Sequence, residues 1–249
     1  MDKNDYAGQV WLAAVLLTRL PLPHLPPRAF SQGARAVWAY PVVGLGLGAA
    51  GAVTAYVALW AGLPVFIASV LALGAVMLLT GAMHEDGLAD VFDGFWGGTT
   101  PARRLEIMRD SQIGTYGVLA LLLVTLLRIS ALAVVLDSGW PVLLAAAALS
   151  RAMMPAVMHA LPYARTDGLS RSVGRPDIVP VVAGLGIGGL IAFLSLGMIA
   201  LMAILAAFLV GIILTAVARR KIGGQTGDVL GAVQQLSETA ILLTCAVMV

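Results

Sequence analysis

Seven apolar stretches of about 20 residues dominate this 249-residue chain: 37–61, 64–83, 115–136, 140–161, 179–196, 198–218 and 232–249. An α-helix rises 1.5 Å per residue, so about 20 apolar residues cross a hydrocarbon core roughly 30 Å thick. Within that core every backbone N–H and C=O must be satisfied internally, which leaves helices or closed barrels. The stretches are too long for strands and lack barrel alternation. The expected fold is all-α: a polytopic integral membrane helical bundle of about seven transmembrane helices, forming a single domain over residues 1–249. Residues 8–18 are apolar but too short to span, and Arg19, Pro21 and Pro23 end them. A short interfacial or re-entrant helix is expected there.

Composition agrees. Charged residues make up 11% of the chain and mean hydropathy is +0.95, against about 25% charge in soluble domains. A soluble enzyme and a disordered chain are excluded. A net charge of +2 sets up no field to attract polyanions, so no nucleic-acid partner is expected. The lone Cys245 lies in an apolar run, against a disulfide framework or cysteine-rich zinc site. Met1–Asp5 lacks a basic n-region, so no signal peptide is expected. Glycines such as Gly44, Gly46, Gly48 and Gly51 precede no Walker lysine and read as helix-packing positions.

Basic residues set the expected topology. Lys3, Arg19, Arg28 and Arg35 precede the first span; Arg103, Arg104 and Arg109 lie between the second and third. Arg165, Arg171 and Arg175 lie between the fourth and fifth, and Arg219, Arg220 and Lys221 between the sixth and seventh. The alternate connections near Gly62, Ser138 and Gly197 carry none. The positive-inside rule puts the loaded side in the cytoplasm, with the N-terminus inside and Val249 outside. The expected location is the bacterial cytoplasmic (inner) membrane, with the chemistry on its cytoplasmic face.

That face carries the sharpest motif, His84-Glu85-Asp86-Gly87-Leu88-Ala89-Asp90-Val91-Phe92-Asp93-Gly94. On a helix, Asp86, Asp90 and Asp93 fall at i, i+4 and i+7, on one side. Three carboxylates there repel one another unless a cation neutralises them, and all-oxygen ligands suit Mg²⁺ or Mn²⁺. Glu85 points elsewhere and could be a further ligand or a base; His84 could assist. Gly87 and Ala89 would leave room for substrate against the backbone. Downstream, Arg103, Arg104 and Arg109 match phosphate oxygens, Ser111 and Thr115 could donate further hydrogen bonds, and Asp110 could complete the metal site. Arg103 and Arg104 could equally be topological. Thr226-Gly227-Asp228 reads as a turn or as part of the site, while Arg165, Asp167, Arg171, Ser172 and Arg175 add less specific charge to the same face. Arg128, Arg151 and Glu238 fall inside spans, where charge is costly; a structural Arg–Glu pair and groups facing a wet cavity both remain open.

Two families of membrane phosphotransferases resemble this constellation. CDP-alcohol phosphotransferases carry Asp-x-x-Asp-Gly-x-x-Ala-Arg, but here Ala89-Asp90 stands where Ala-Arg is needed and the later aspartates are missing. His84 to Gly94, Glu106-Ile107-Met108-Arg109-Asp110-Ser111 to Gly117, and Thr226-Gly227-Asp228 to Glu238 together resemble the cobalamin synthase family, adenosylcobinamide-GDP ribazoletransferases. The resemblance is densest over 80–117 and 223–240, with Thr18-Arg19-Leu20-Pro21 and Tyr40-Pro41 to Gly48 also familial. It implies that α-ribazole, or its 5′-phosphate, attacks adenosylcobinamide-GDP in vitamin B12 synthesis, releasing GMP with Mg²⁺ required. Asp86, Asp90 and Asp93 would then hold metal. Glu85 or Asp110 would accept the hydroxyl proton. Arg103, Arg104, Arg109, Ser111, Thr115, Arg151, Thr226, Asp228 and Glu238 would bind the substrates. The bilayer is a necessary partner, and a homo-oligomer is compatible with the chain. A transporter, the reading from another class, predicts midplane carboxylates and inverted repeats, whereas six acids crowd one connection: Glu85, Asp86, Asp90, Asp93, Glu106 and Asp110.

Overall fold

A computed structural model describes residues 5–23, 25–136, 139 and 141–248, without the side chains of 27 and 28. Lys3, Ser138 and Val249, which entered the topology above, lie outside the described residues, as does the Arg28 side chain. The helices run α1 (Tyr6–Leu17), α2 (Pro27–Phe30), α3 (Gly33–Ala36), α4 (Tyr40–Trp60), α5 (Val65–Thr80), α6 (Met83–Gly97), α7 (Pro101–Ile107), α8 (Thr115–Val135), α9 (Pro141–Ala160), α10 (Leu169–Val173), α11 (Ile178–Leu196), α12 (Ile199–Ile222) and α13 (Gly227–Met248). Among the described residues there is no strand, only an isolated bridge between Tyr163 and Gln225. Six segments are long and apolar enough to span: 33–60, α8, α9, α11, α12 and α13. The helices α5 and α6, bent by 89° to one another, pass the same test only when joined, which gives six spans, or seven with the pair counted as one. The protein is a polytopic membrane helical bundle. The stretch expected to be interfacial or re-entrant is α1, 12 residues long.

Two boundaries differ from the hydropathy reading. The last span starts at Gly227, five residues before the expected 232, because the Thr226 hydroxyl accepts from Val229 N (3.3 Å) and caps the helix. The sixth runs on through Arg219, Arg220 and Lys221, whose charges suit a helix C-terminus. The connection after α6 also holds a helix: α7 is opened by Pro101 and capped by Thr100, which accepts from Arg103 N at 3.3 Å.

Helices α9 and α13 form the interior. The first packs on α4, α11 and α13, the second on α6, α8 and α12. Backbone-to-backbone approach makes the α4–α9 contact: a Cβ on Gly44 or Gly48 would stand 2.4 Å from the carbonyl oxygen of Ala147 or Leu143. Lipid offers no hydrophobic drive for such a contact, so close van der Waals fit must supply it.

The bend between α5 and α6 is made by two consecutive left-handed residues, Gly81 (φ 64°) and Ala82 (φ 54°). The alanine carries a steric cost of about 1–2 kcal/mol. Arg19, just past α1, holds the bend: its N–H donates to Leu79 O at 2.7 Å, and its side chain lies against Gly81.

The alternatives at Arg128, Arg151 and Glu238 resolve into a buried ionic cluster. Both arginines are 1% exposed. Arg128 of α8 donates to Glu238 and Gln235 of α13 and stands 3.5 Å from Glu85 of α6. Arg151 of α9 donates to Ala147 O at 2.9 Å and reaches the other Glu238 oxygen at 3.5 Å. Ser150 and Gln234 donate to that same oxygen, and Gln235 Nε2 donates to Glu85 Oε1 at 2.9 Å. Four helices meet there.

Two stability predictions follow from these contacts. Gly48→Ala should lower the thermal midpoint in detergent by the equivalent of about 1–3 kcal/mol of overpacking. Gly46→Ala, with open space at its Cβ position, should melt as wild type. Glu238→Ala leaves two buried guanidiniums uncompensated and should cost about 3–5 kcal/mol on the same assay.

Candidate active site

The acidic motif is helical, as its spacing requires, and the bend sets α6 against the start of α13. Gly87 permits this: a Cβ there would stand 2.9 Å from Asp228 Cα, so the space foreseen for substrate is occupied by the α13 backbone. Gly231 lies as close to His84, with a Cβ distance of 3.2 Å to His84 Cα. Asp86 is exposed and Asp90 half-buried, and Asp90 lies in the fields of Asp228, Asp86 and the opposing Arg165.

Asp93 has another use. Its two oxygens accept the N–H groups of Gly114 (2.7 Å) and Gly117 (2.9 Å), tying α6 to the first turn of α8. Any Cβ on those glycines would fall about 2.5 Å from the carboxylate, which explains the glycines of the Gly114-Thr115-Tyr116-Gly117 turn. The structure thus gives Asp93, expected as a metal ligand, the task of holding two backbone donors. In keeping with this, no group of three or more His, Cys, Asp or Glu among the described residues is arranged to enclose a metal ion.

A cavity of about 200 Å³ opens beside this junction. Asp86, Thr226 and Asp228 line it, together with Arg165, Asp167 and Arg171 from the segment between α9 and α11. Thr226 Oγ1 donates to Asp228 Oδ2 at 3.1 Å, and Arg165 pairs with the same oxygen at 3.1 Å. Backbone bonds hold the wall: Gln225 N donates to Pro162 O (2.8 Å) and Ala164 N to Gln225 O (3.0 Å). Tyr163 lies beneath the Arg171 guanidinium, 5.1 Å from ring centroid to cation. Partial burial pushes its phenol upward against the pull of Arg171 and Arg175, so it remains an O–H donor at neutral pH.

The remaining expected site residues lie elsewhere. Glu85, Arg151 and Glu238 belong to the ionic cluster rather than to the cavity wall, a correction of the binding roles expected of Arg151 and Glu238. Arg104 donates to Gly98 O and Lys221 O, both at 2.9 Å, fastening α7 to the end of α12. Arg103 pairs with Glu106 at 2.8 Å on an exposed face. Arg109 pairs with Asp167 and so borders the cavity's rim. Asp110 accepts from Gln112 N at 3.0 Å within an exposed turn, and Ser111 and Thr115 are exposed away from the wall. Sequence reasoning gave no role to Tyr40, Met154, Met158 or Tyr163, which complete the lining. Only Tyr40, next to Pro41 in a familial stretch, carried a signal.

Comparison with known proteins identifies the family. The profile of the family described as cobalamin-5-phosphate synthase matches residues 9–246. An adenosylcobinamide-GDP ribazoletransferase of Bradyrhizobium diazoefficiens is 48% identical over 239 residues, covering 94% of this chain and 92% of the relative. One of Mesorhizobium japonicum is 46% identical, covering 99% and 96%. One of Brucella anthropi is 40% identical, covering 97% of each. No solved structure matches the chain. These likenesses leave the CDP-alcohol phosphotransferase and transporter readings without support. The chain belongs to the cobalamin-5-phosphate synthase family.

Proposed function

We propose that this protein is an adenosylcobinamide-GDP ribazoletransferase whose reaction runs at the mouth of the cavity between α6 and α13. A ribose hydroxyl of α-ribazole, or of its 5′-phosphate, attacks the cobinamide-linked phosphorus. The new phosphorus–oxygen bond forms as the bridging diphosphate oxygen leaves with GMP, and the hydroxyl proton passes to a base. The product is adenosylcobalamin or its 5′-phosphate. The reading places the site on the cytoplasmic face of the bacterial inner membrane, where the basic connections gather.

The observation that carries it is the meeting of Asp86 and Asp90 with Asp228 beside Arg165. Three carboxylates approaching one another with a single close guanidinium favour a divalent cation. Mg²⁺ keeps several waters and binds through one or two carboxylates plus substrate phosphate, so an open set of this kind suits it better than an all-protein cage. Asp86 and Asp228, which both line the cavity, would hold it. There it would neutralise charge on the diphosphate. Arg165 and Arg171, at the rim, match phosphate oxygens by their forked geometry. Asp90, in the field of that pair but left outside it, is better placed than Glu85, already paired with Gln235, to take the proton.

Purified protein supplied with both substrates should release GMP only with Mg²⁺ present, and chelation should abolish the release reversibly. Asp86→Asn should lower the rate by about 100-fold or more without shifting the melting curve downward, and Asp228→Asn should lower it as far while also losing the charged partner of Arg165. Asp93→Asn should instead lower stability by about 1.5–3 kcal/mol, having lost a charged acceptor for two backbone donors. Equal turnover by Asp86→Asn and wild type would remove the proposed carboxylate site.

A further inference from the structure

The rim of the cavity is charged, but its interior is not. Asp86, Asp167 and Arg171 are exposed, whereas Leu17, Tyr40, Met154, Met158 and Leu230, which line the same space, are buried. Exposure therefore orders the lining from a charged mouth to an apolar floor. The floor also holds a polar anomaly. His84 is 1% exposed, lines the cavity, and neither ring nitrogen has a hydrogen-bond partner among the described residues. Gln225, also 1% exposed, has a free Nε2; its Oε1 accepts from Ser170 at 2.6 Å. Buried polar groups are almost always satisfied, and those left bare in a cavity mark where a ligand completes them.

The family's reaction offers three bulky groups for this space: a corrin, a guanine and a benzimidazole. About 200 Å³ is far too little for a corrin. Guanine presents polar atoms along its whole edge, and an apolar floor would leave most of them unpaired, which is costly. A dimethylbenzimidazole is a flat apolar bicycle whose glycosylated form keeps one bare ring nitrogen, an acceptor only. Methionine thioethers contact such faces well and adapt to their shape. A neutral imidazole supplies the single donor that the bare nitrogen needs.

We propose that the cavity floor is the seat of the acceptor's base, with the benzimidazole between Tyr40, Met154 and Met158 and its free ring nitrogen accepting a hydrogen bond from His84. The ribose then lies toward the mouth, within the range of Gln225, and presents its hydroxyl to the diphosphate held outside. This assignment rests on the ribazoletransferase reading and names the substrate half that reading leaves unplaced. His84 acts as a specificity residue.

The experiment is equilibrium binding of α-ribazole to the full-length protein in nanodiscs, without donor substrate, followed by calorimetry. The control ligand is the riboside of 5,6-dimethylindole, in which C–H replaces the free ring nitrogen. Wild type should prefer α-ribazole by about tenfold, the worth of one good buried hydrogen bond. His84→Ala should erase the preference by weakening α-ribazole alone, and His84→Gln, which keeps an N–H donor, should restore part of it. Met158→Trp, filling the floor, should weaken both ribosides while the KM for adenosylcobinamide-GDP stays within about twofold. Equal wild-type affinity for the two ribosides would overturn the assignment, as would displacement of α-ribazole by GMP. Absence of GMP release by wild type given both substrates would instead sink the ribazoletransferase reading itself. Normal turnover with a preference that ignores His84 sinks only the placement of the base.

Discussion

Glu238 is buried in the seventh span between two arginines that are themselves buried, and the arrangement of the bundle depends on that grouping. Removing three charges from water is expensive, and their attraction repays it only when the remaining donors and acceptors are also satisfied. Here Ser150, Gln234 and Gln235 supply part of those bonds, leaving Arg128 Nε, Arg151 Nε and Glu85 Oε2 without one, and Gln235 passes the connection to Glu85 at the start of α6. The cluster fixes the rotation of α8, α9 and α13 about their own axes, since turning any one of them would bare a charge. It also fixes α6. The residue before Glu85 lines the cavity and the residue after it stands at the mouth, so the ionic cluster and the reaction site share three consecutive positions.

Small residues do the complementary task. Gly44 and Gly48 bring α4 onto α9, Gly87 and Gly231 bring α6 onto α13, and Gly114 and Gly117 let the turn before α8 close over Asp93. The contacts at Gly87, Gly231, Gly114 and Gly117 sit at the end of the bundle where the polar connections gather. Segments 58 and 63 residues apart in the chain are thereby brought to one rim, with Arg109 bonded to Asp167 and Arg165 to Asp228. In a membrane protein the apolar exterior is free to face lipid, so nearly all the specific fit is available for building this rim.

The spans were legible because hydropathy over about 20 residues is a property of the segment alone. The side of α6 on which its acids lie was legible for the same reason, from helical period. What period cannot reveal is which neighbour waits there. Asp86 and Asp93 look alike in the sequence, yet one faces solvent and the other is consumed by two backbone N–H groups from a turn 21 residues later. Arg151 and Glu238 read equally well as site residues or as a pair, because the choice depends on Gln234, Gln235 and Ser150, which carry no charge to draw attention. The cavity floor was silent for a further reason. Leu17, Met154 and Met158 are ordinary apolar residues in apolar helices, and only the fold brings them to the wall of one cavity. Arg165 was seen as one charge among several; its pairing with Asp228 requires the bridge between Tyr163 and Gln225, a contact no local pattern announces.

The right-angle turn at Gly81 and Ala82 has a consequence for reach. Along an upright span, acids spaced four residues apart differ in depth by about 6 Å per step, so a row of them would form a ladder descending into the bilayer. Because α6 runs at 89° to α5, its acids keep one level relative to that span and form a shelf. A shelf can be approached sideways.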